Sequence, residues 1–180
     1  MQLVISDSST LIHLAVVNRF DLIRTYYPSI ILPRSVYQEV VTCGTQKPGC
    51  EEVLRWVKNG EISLRDVQNT RLVSSLCHEI HRGEAEVIAL GVECDDAFLL
   101  LDDHDARHIA DRFGLCYTGI IGIFIRARRD GNISSLRREL ERLRTDGRFW
   151  ISELTLQRAL QVVGEDYPSP LSPFIAYHPY

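Results

Sequence analysis

The sequence predicts an α/β fold of three layers, α/β/α, around a mainly parallel central sheet. Two observations carry that expectation. Apolar runs of strand length, Leu3-Val4-Ile5 and Ala97-Phe98-Leu99-Leu100-Leu101, end in small polar and acidic clusters, Ser6-Asp7-Ser8-Ser9 and Asp102-Asp103-His104-Asp105. A helical pattern follows each run, and strand-like and helix-like segments alternate down the chain. In an open parallel sheet ligands bind outside the carboxyl ends of the strands, so acids ejected from two such ends converge on one site. Converging carboxylates repel, and a hard cation is the usual means of holding them together, which points to metal-dependent chemistry.

After the first strand, residues 10–18 read as a short apolar helix with Ser8 or Ser9 as its N-cap. Residues 29–32 form a strand, and Pro33 opens a helix over 34–42, as proline at a first helical position should. A Gly/Pro loop at 44–49 precedes an amphipathic helix over 51–59, and residues 61–65 alternate like a short edge strand. A helix over 71–81 leads through Arg82-Gly83 into another over 84–93. Strand 97–101 and helix 104–113 follow, the latter closed by Gly114. Strand 115–118 meets Gly119, and helix 120–129 ends at Asp130-Gly131. Helix 135–145 carries Leu136, Leu140 and Leu143 at helical spacing. Residues 149–151 are a short strand or extended piece, and a last helix covers 153–163. The expected organisation is one domain over 1–165 and a proline-rich tail over 166–180.

A chain of 180 residues is long enough to bury roughly 70% of the surface its unfolded form exposes. Its apolar runs are far shorter than a membrane span, and residues 1–10 read as a core strand rather than a secretory signal. A soluble, cytoplasmic protein with no membrane partner is therefore expected. The five cysteines are odd in number and show no C-x-x-C spacing, so reduced thiols are the default. Cys43 and Cys50 bracket the turn-forming 44–49 and are spaced to pair under oxidation. A net charge of −4 argues against a protein that simply coats nucleic acid. Yet eight arginines lie between Arg126 and Arg148, against four acids. They read either as solvated helix faces with ordinary intrahelical pairs or as a phosphate-binding rim beside the acidic centre. Arg126, Arg128 and Arg129 are the substrate-binding candidates.

The acids separate on local grounds. Asp7 sits where a strand exits; it is a competent N-cap, but Ser8, Ser9 and Thr10 offer better-placed caps, which leaves Asp7 for the site. On a helical wheel Glu39 joins the apolar stripe of Val36, Val40 and Cys43, and a carboxylate buried there needs an ion-pair partner or a metal. Glu84 and Glu86 both suit a helix N-terminus electrostatically. Glu84 flanks the face made by Ala85, Ile88, Ala89 and Val92, whereas Glu86 points toward Glu93 and solvent. Among Asp102, Asp103 and Asp105 at least one is a helix cap; Asp103 is the first choice for the site, and Asp102 either joins it or orients a neighbour. His104 and His108 have a spacing that zinc sites use, but no third nitrogen or sulfur ligand is evident, and oxygen-rich surroundings suit magnesium or manganese. His78 and His81 are surface residues.

Several α/β families with an aspartate after the first strand are excluded. Haloacid-dehalogenase-type phosphatases need a second aspartate where this chain has Ser9. Response-regulator receivers need a late strand-end lysine, and neither Lys47 nor Lys58 is placed for it. The G-x-G-x-x-G of dinucleotide binding is missing. What remains resembles the PIN-domain nucleases, and within them a PIN-like branch related to the toxins of bacterial and archaeal toxin–antitoxin pairs. The matching stretches are Val4-Ile5-Ser6-Asp7-Ser8-Ser9-Thr10-Leu11-Ile12, Pro33-x-x-Val36-x-x-Glu39, Gly83-Glu84-Ala85-Glu86-x-Ile88-Ala89-Leu90 and Leu100-Leu101-Asp102-Asp103-x-x-Ala106-Arg107, followed by Thr118-Gly119-x-x-Gly122 and Gly131-x-Ile133. The Glu84-Ala85-Glu86 and Asp103-x-Asp105 pieces also resemble metal-binding motifs of flap endonucleases.

The resemblance implies a metal-dependent endoribonuclease that hydrolyses RNA with a metal-activated water, using magnesium or manganese. It makes Asp7, Glu39, Glu84 and Asp103 the metal-binding catalytic set, with Asp102 and Asp105 as supporting ligands. An antitoxin protein and a homodimer are the partners it implies besides RNA. Two other classes compete: a catalytically silent module whose acidic pocket holds a metal or a partner's arginine, and a phosphohydrolase of small substrates.

Overall fold

The computed structural model describes residues 3–41 and 48–165. Five strands, β1 (Leu3–Ser6), β2 (Ile30–Pro33), β3 (Ile62–Arg65), β4 (Ala97–Leu100) and β5 (Cys116–Thr118), form one sheet in the order β3-β2-β1-β4-β5. Every pairing is parallel, and helices flank the sheet, giving the expected three-layer α/β fold. The three central strands are buried, with Ile5, Ile30, Leu32 and Leu99 fully so, while the edge strands β3 and β5 are largely open. From β1 the chain winds outward to β2 and β3, then returns to the other side of β1 with β4 and β5. The switch point therefore falls between β1 and β4, where an open α/β sheet leaves its ligand crevice. The register Ser6↔Leu100 brings the two acidic strand ends there side by side.

Ten helices are described: α1 (Ser8–Val16), α2 (Asp21–Tyr26), α3 (Arg34–Val41), α4 (Cys50–Asn59), α5 (Thr70–Leu76), α6 (Arg82–Glu93), α7 (His104–Arg112), α8 (Ile120–Arg129), α9 (Leu136–Thr145) and α10 (Glu153–Val162). The central one is α6, which packs on β1, β2 and β4. All of Ala85 to Gly91 is buried, so this helix is enclosed rather than amphipathic.

Several boundaries differ from the sequence-based expectation. α2 was not expected; its six residues are too few to nucleate alone, and the burial of Leu22 and Ile23 supplies what propensity does not. Pro33 ends β2 instead of opening α3. α5 stops at Leu76, and α6 starts two residues earlier than expected, at Arg82. Residues 149–151 find no strand partner: Ile151 is buried while Trp150 is 82% exposed. β3 lies at the sheet edge as its alternation indicates. Cys50 is a free, buried thiol; its suggested partner Cys43, like the proline-rich tail, lies outside the described residues. No described helix is long and apolar enough to cross a membrane.

The last helices are tied by one side chain. Glu165 accepts from the Leu136 and Arg137 N–H groups at the start of α9 (2.7 and 2.9 Å), from Ser135 Oγ (3.0 Å) and from Arg128 Nε on α8 (2.8 Å). Burial alone would raise this carboxyl, but those donors outweigh it and hold it down at about 2, against an ordinary value of 4.5. A depressed folded value means stability that is complete above the unfolded value and lost as pH falls toward 2. Glu165→Gln is expected to cost about 1–3 kcal/mol at pH 7. That difference from wild type should shrink between pH 5 and pH 2 in denaturant titrations.

Candidate active site

Asp7 leaves the end of β1 and is only 2% exposed. Its Oδ1 accepts from Thr10 N (2.9 Å), which makes Asp7 itself the N-cap of α1. The expected caps Ser8 and Ser9 lie inside the first turn instead. Cap and site roles are not exclusive, because the second oxygen, Oδ2, accepts from the backbone N–H of Asp102 (3.2 Å). Asp102 in turn is held by donors from three helices, α1, α7 and α8. Its Oδ1 accepts from Ile120 N (2.9 Å) and Arg107 Nη2 (3.2 Å), and its Oδ2 from Thr10 Oγ1 (3.0 Å). Its side chain is 4% exposed. Burial, then the charge of Asp102, pushes the Asp7 carboxyl up to about 7 from 3.8, against the opposing Thr10 and Asp102 N–H bonds. Burial raises Asp102 too, despite Ile120 N–H, Arg107 and Thr10.

Beside this floor lies a more open acidic cleft of about 320 Å³, lined by Glu84, Asp103 and Asp105 with His78 and His81. Asp103 caps α7: its Oδ1 accepts from Asp105 N and Ala106 N (both 2.9 Å), and its Oδ2 accepts nothing among the described residues. Glu84 is half-buried, and its Oε2 accepts from His81 N (3.0 Å). Burial and then the charge of Asp103 raise its carboxyl; Glu39 adds to this, against the His81 N–H. Glu84 thus feels the charge of both Asp103 and Glu39. Asp105 is exposed and touches only His104.

Three placements correct the sequence reading. Glu39 is exposed, not buried: the apolar face of α3 is Val36 and Val40, and Glu39 leans over Gly83, where a Cβ would meet its Oε2 at 3.3 Å. Glu86 is buried, not solvated. Its Oε2 accepts from Ser35 Oγ (2.6 Å) and its Oε1 from Arg82 Nε (2.9 Å). The wheel failed because it assumed one apolar face on a helix that is enclosed. Arg126, Arg128 and Arg129 do not border the acids. α8 starts at Asp102 and its ten residues run about 15 Å away, so these side chains lie at its far end. There Arg126 stacks over Tyr26 (4.3 Å), Arg128 holds Glu165, and Arg129 donates to Val162 O (3.5 Å). His104 and His108, which the sequence did not favour as a zinc pair, pack edge to face on the surface, with centroids 4.5 Å apart.

Arg107 was read only as part of a motif, yet it locks the site. Its Nε donates to Leu101 O (2.7 Å) and its Nη2 to Asp102, with the guanidinium over Tyr117. Gly119 lets α8 close on this pair: a Cβ there would fall on Arg107 Nη2 and Asp102 Oδ1, and one at Gly122 on Thr118 Oγ1. The Thr118-Gly119-x-x-Gly122 motif is therefore a close-approach motif; the extended Gly119 backbone (φ −128°) needs no glycine for its own sake.

The donor set fits a hard divalent cation in kind: all oxygen and like-charged, with Asp7 and Glu84 raised by burial and then by a neighbouring carboxylate whose repulsion a cation relieves. Among the described residues, however, no three His, Cys, Asp or Glu side chains are gathered about one point closely enough to hold an ion. Binding thus calls for rotation of the outer carboxylates.

Two expectations follow. A carboxyl raised to about 7 makes the ionised Asp7 increasingly unfavourable to folding as pH climbs from 4 to 7. Asp7→Asn should therefore stabilise the cation-free protein at pH 8 by about 1–2 kcal/mol, even with one accepted hydrogen bond lost, and the gain should vanish near pH 4. Unfolding in chelator checks this. Gly119→Ala should cost roughly 3 kcal/mol or more, read as a lowered Tm, because bonded partners and the Leu101 carbonyl at 3.1 Å cannot yield.

No curated protein matches the chain. The profile of a family described as a PIN domain matches residues 3–165, from the first residue of β1 to the Glu165 that ties the last helices. PIN domains are generally metal-dependent nucleases. With that match over most of its length, the chain belongs to the PIN-domain family.

Proposed function

We propose that this protein is a magnesium- or manganese-dependent endoribonuclease whose site is the floor of Asp7 and Asp102 with the rim of Glu39, Glu84 and Asp103. The observation that carries the reading is that these acids gather at the switch point of the sheet, where burial first and a neighbouring carboxylate second raise Asp7 and Glu84. A divalent cation there would activate water and stabilise the leaving oxygen of a phosphodiester. The chain's own groups prepare that chemistry. The N–H groups of Thr10 and Asp102 fix both oxygens of Asp7. Asp103 spends one oxygen on its helix and keeps the other for the cleft. Glu84 and Glu39 complete the rim. Asp102, held by Arg107, Ile120 N–H and Thr10, orients Asp7 through its backbone rather than ligating, and Asp105 plays a supporting part in the cleft.

The motif resemblance to toxin–antitoxin ribonucleases supports a biological role as the toxin of such a pair, countered by an antitoxin, with RNA as substrate and a homodimer as its form. One observation favours a second reading. Arg107 already pairs with a buried acid of the site (3.2 Å), which is the bond a partner's arginine would make in a silent binding module.

Cleavage of labelled total RNA separates the two. After chelation and return of Mn²⁺ or Mg²⁺, wild type should give metal-dependent fragments. Asp103→Asn, which preserves the helix cap, should lose about two orders of magnitude in rate. No cleavage by either, with manganese still bound by wild type in calorimetry, would favour the silent module.

A further inference from the structure

The carboxyl end of the sheet holds a second cavity, and its lining speaks to what the nuclease reading leaves open: how a strand is held. It encloses about 690 Å³ between α3, α5 and α6, in the range of small-ligand sites. Arg34 and Arg82 stand at its walls, with Gln38 and Ser74 as neutral hydrogen-bonding groups and Val73 as an apolar patch. Cys77 and His78 line both this cavity and the acidic cleft, so the two adjoin. Arg82 and Glu84 share the first turn of α6.

The buried Glu86, the acid misread as solvated, now has a purpose. Ser35 donates to it through both its hydroxyl (2.6 Å) and its backbone N–H (3.3 Å), which fixes the carboxylate against α3. The fixed carboxylate takes only the Nε edge of Arg82. The Arg82 side chain stays 76% exposed, and its two Nη groups donate to nothing among the described residues. Arg34 is likewise aimed by Asp66, through Nε (2.7 Å) and Nη2 (3.1 Å), with Nη1 left over. Two guanidinium groups held on one edge and open on the other are suited to phosphate oxygens. The arginines of 126–129, by contrast, lie at the far end of α8.

We propose that this cavity takes one nucleotide of a single-stranded RNA, adjacent to the phosphate that meets the acids, with Arg82 and Arg34 on its phosphate. The inference rests on the nuclease reading for its substrate class. His78 is the one ring among the lining residues and offers a face for the base, while Gln38 and Ser74 meet its edge. The contacts to phosphate position the strand; the polar side chains supply whatever base preference it has.

The test is anisotropy of a labelled pool of single-stranded RNA 12-mers, run with chelator and again with calcium. Arg82→Ala should weaken binding about tenfold and make the salt dependence shallower by roughly one unit of log–log slope. Arg82→Lys should recover part of both. Ser74→Trp fills the cavity from α5 while leaving both arginines and every acid in the chain; it should weaken RNA binding similarly and leave manganese binding unchanged. Arg126→Ala should bind as wild type. Wild-type affinity in both Arg82→Ala and Ser74→Trp, or an equal loss in Arg126→Ala, overturns the proposal, as does displacement of the RNA by low concentrations of nucleoside 5′-monophosphates, which would assign the cavity to a free nucleotide. Cleavage distinguishes the two readings. RNA bound through Arg82 but never cut would sink the nuclease and spare the cavity. Metal-dependent cutting with KM unchanged in both variants would do the reverse.

Discussion

Two carboxylates taken out of water side by side set the terms for the whole carboxyl end of this sheet. Asp7 and Asp102 sit at the ends of neighbouring strands because Ser6 pairs with Leu100, and the chain has nowhere to put them except against each other. A buried charge without compensation costs several kcal/mol. The surrounding structure reads as the compensation: Thr10 gives both its N–H and its hydroxyl, Ile120 gives an N–H, and Arg107 brings a full positive charge. Even so, the Asp7 carboxyl stays near 7, so the compensation is incomplete. An incompletely neutralised acid pair is a poor device for stability and a good one for attracting a cation.

Helix ends contribute to the same balance. α1 starts at Asp7, α7 at Asp103 and α8 at the donor to Asp102, while Glu84 lies in the first turn of α6. Four helices therefore point their partially positive N-termini at the acids. This follows from the parallel topology, which sends a helix away from every strand exit. The fold and the charge of the site are thus one solution. The same rule explains why an arginine-rich helix end cannot serve the site: α8 gives its N-terminus to Asp102, so its basic last turn belongs to the opposite pole. There those arginines bind Tyr26, Glu165 and the end of α10, and act as structural ties.

Much of this was legible in the residues. Apolar runs ending in acids give the strands, their order of burial and the pole at which the acids meet, since side-chain period and strand length follow directly from composition. Asp7, Glu84 and Asp103 stand where the sequence placed them, leaving strands or opening helices. What was not legible depends on tertiary packing. Glu39 and Glu86 exchange burial because a helical wheel cannot tell a half-buried helix from an enclosed one. The run from Ala85 to Gly91, with hardly a polar residue, was the available sign that α6 is enclosed and that Glu86 needs partners. Arg107 locks the site by folding back on Leu101 and Asp102 within its own motif, and Gly119 closes on that pair from a later strand exit, neither of which residue spacing records. α2, with six residues and no side-chain cap, exists only because its two apolar residues are covered.

The bond from the Asp102 N–H to Asp7 joins residues 95 positions apart in sequence. In kinetic terms this makes the acid pair a late event. Strand β1 can pair with β2 as soon as both exist, but the pair has no second member until β4 docks, and no lock until Arg107 and the start of α8 arrive. Closing so long a segment is slow relative to forming any local helix. On the ribosome, a chain synthesised only as far as α5 holds Asp7 and Glu39 yet lacks every other acid of the site. The centre is therefore assembled in the same step that completes the sheet, and a partly made or partly unfolded chain carries no trace of it.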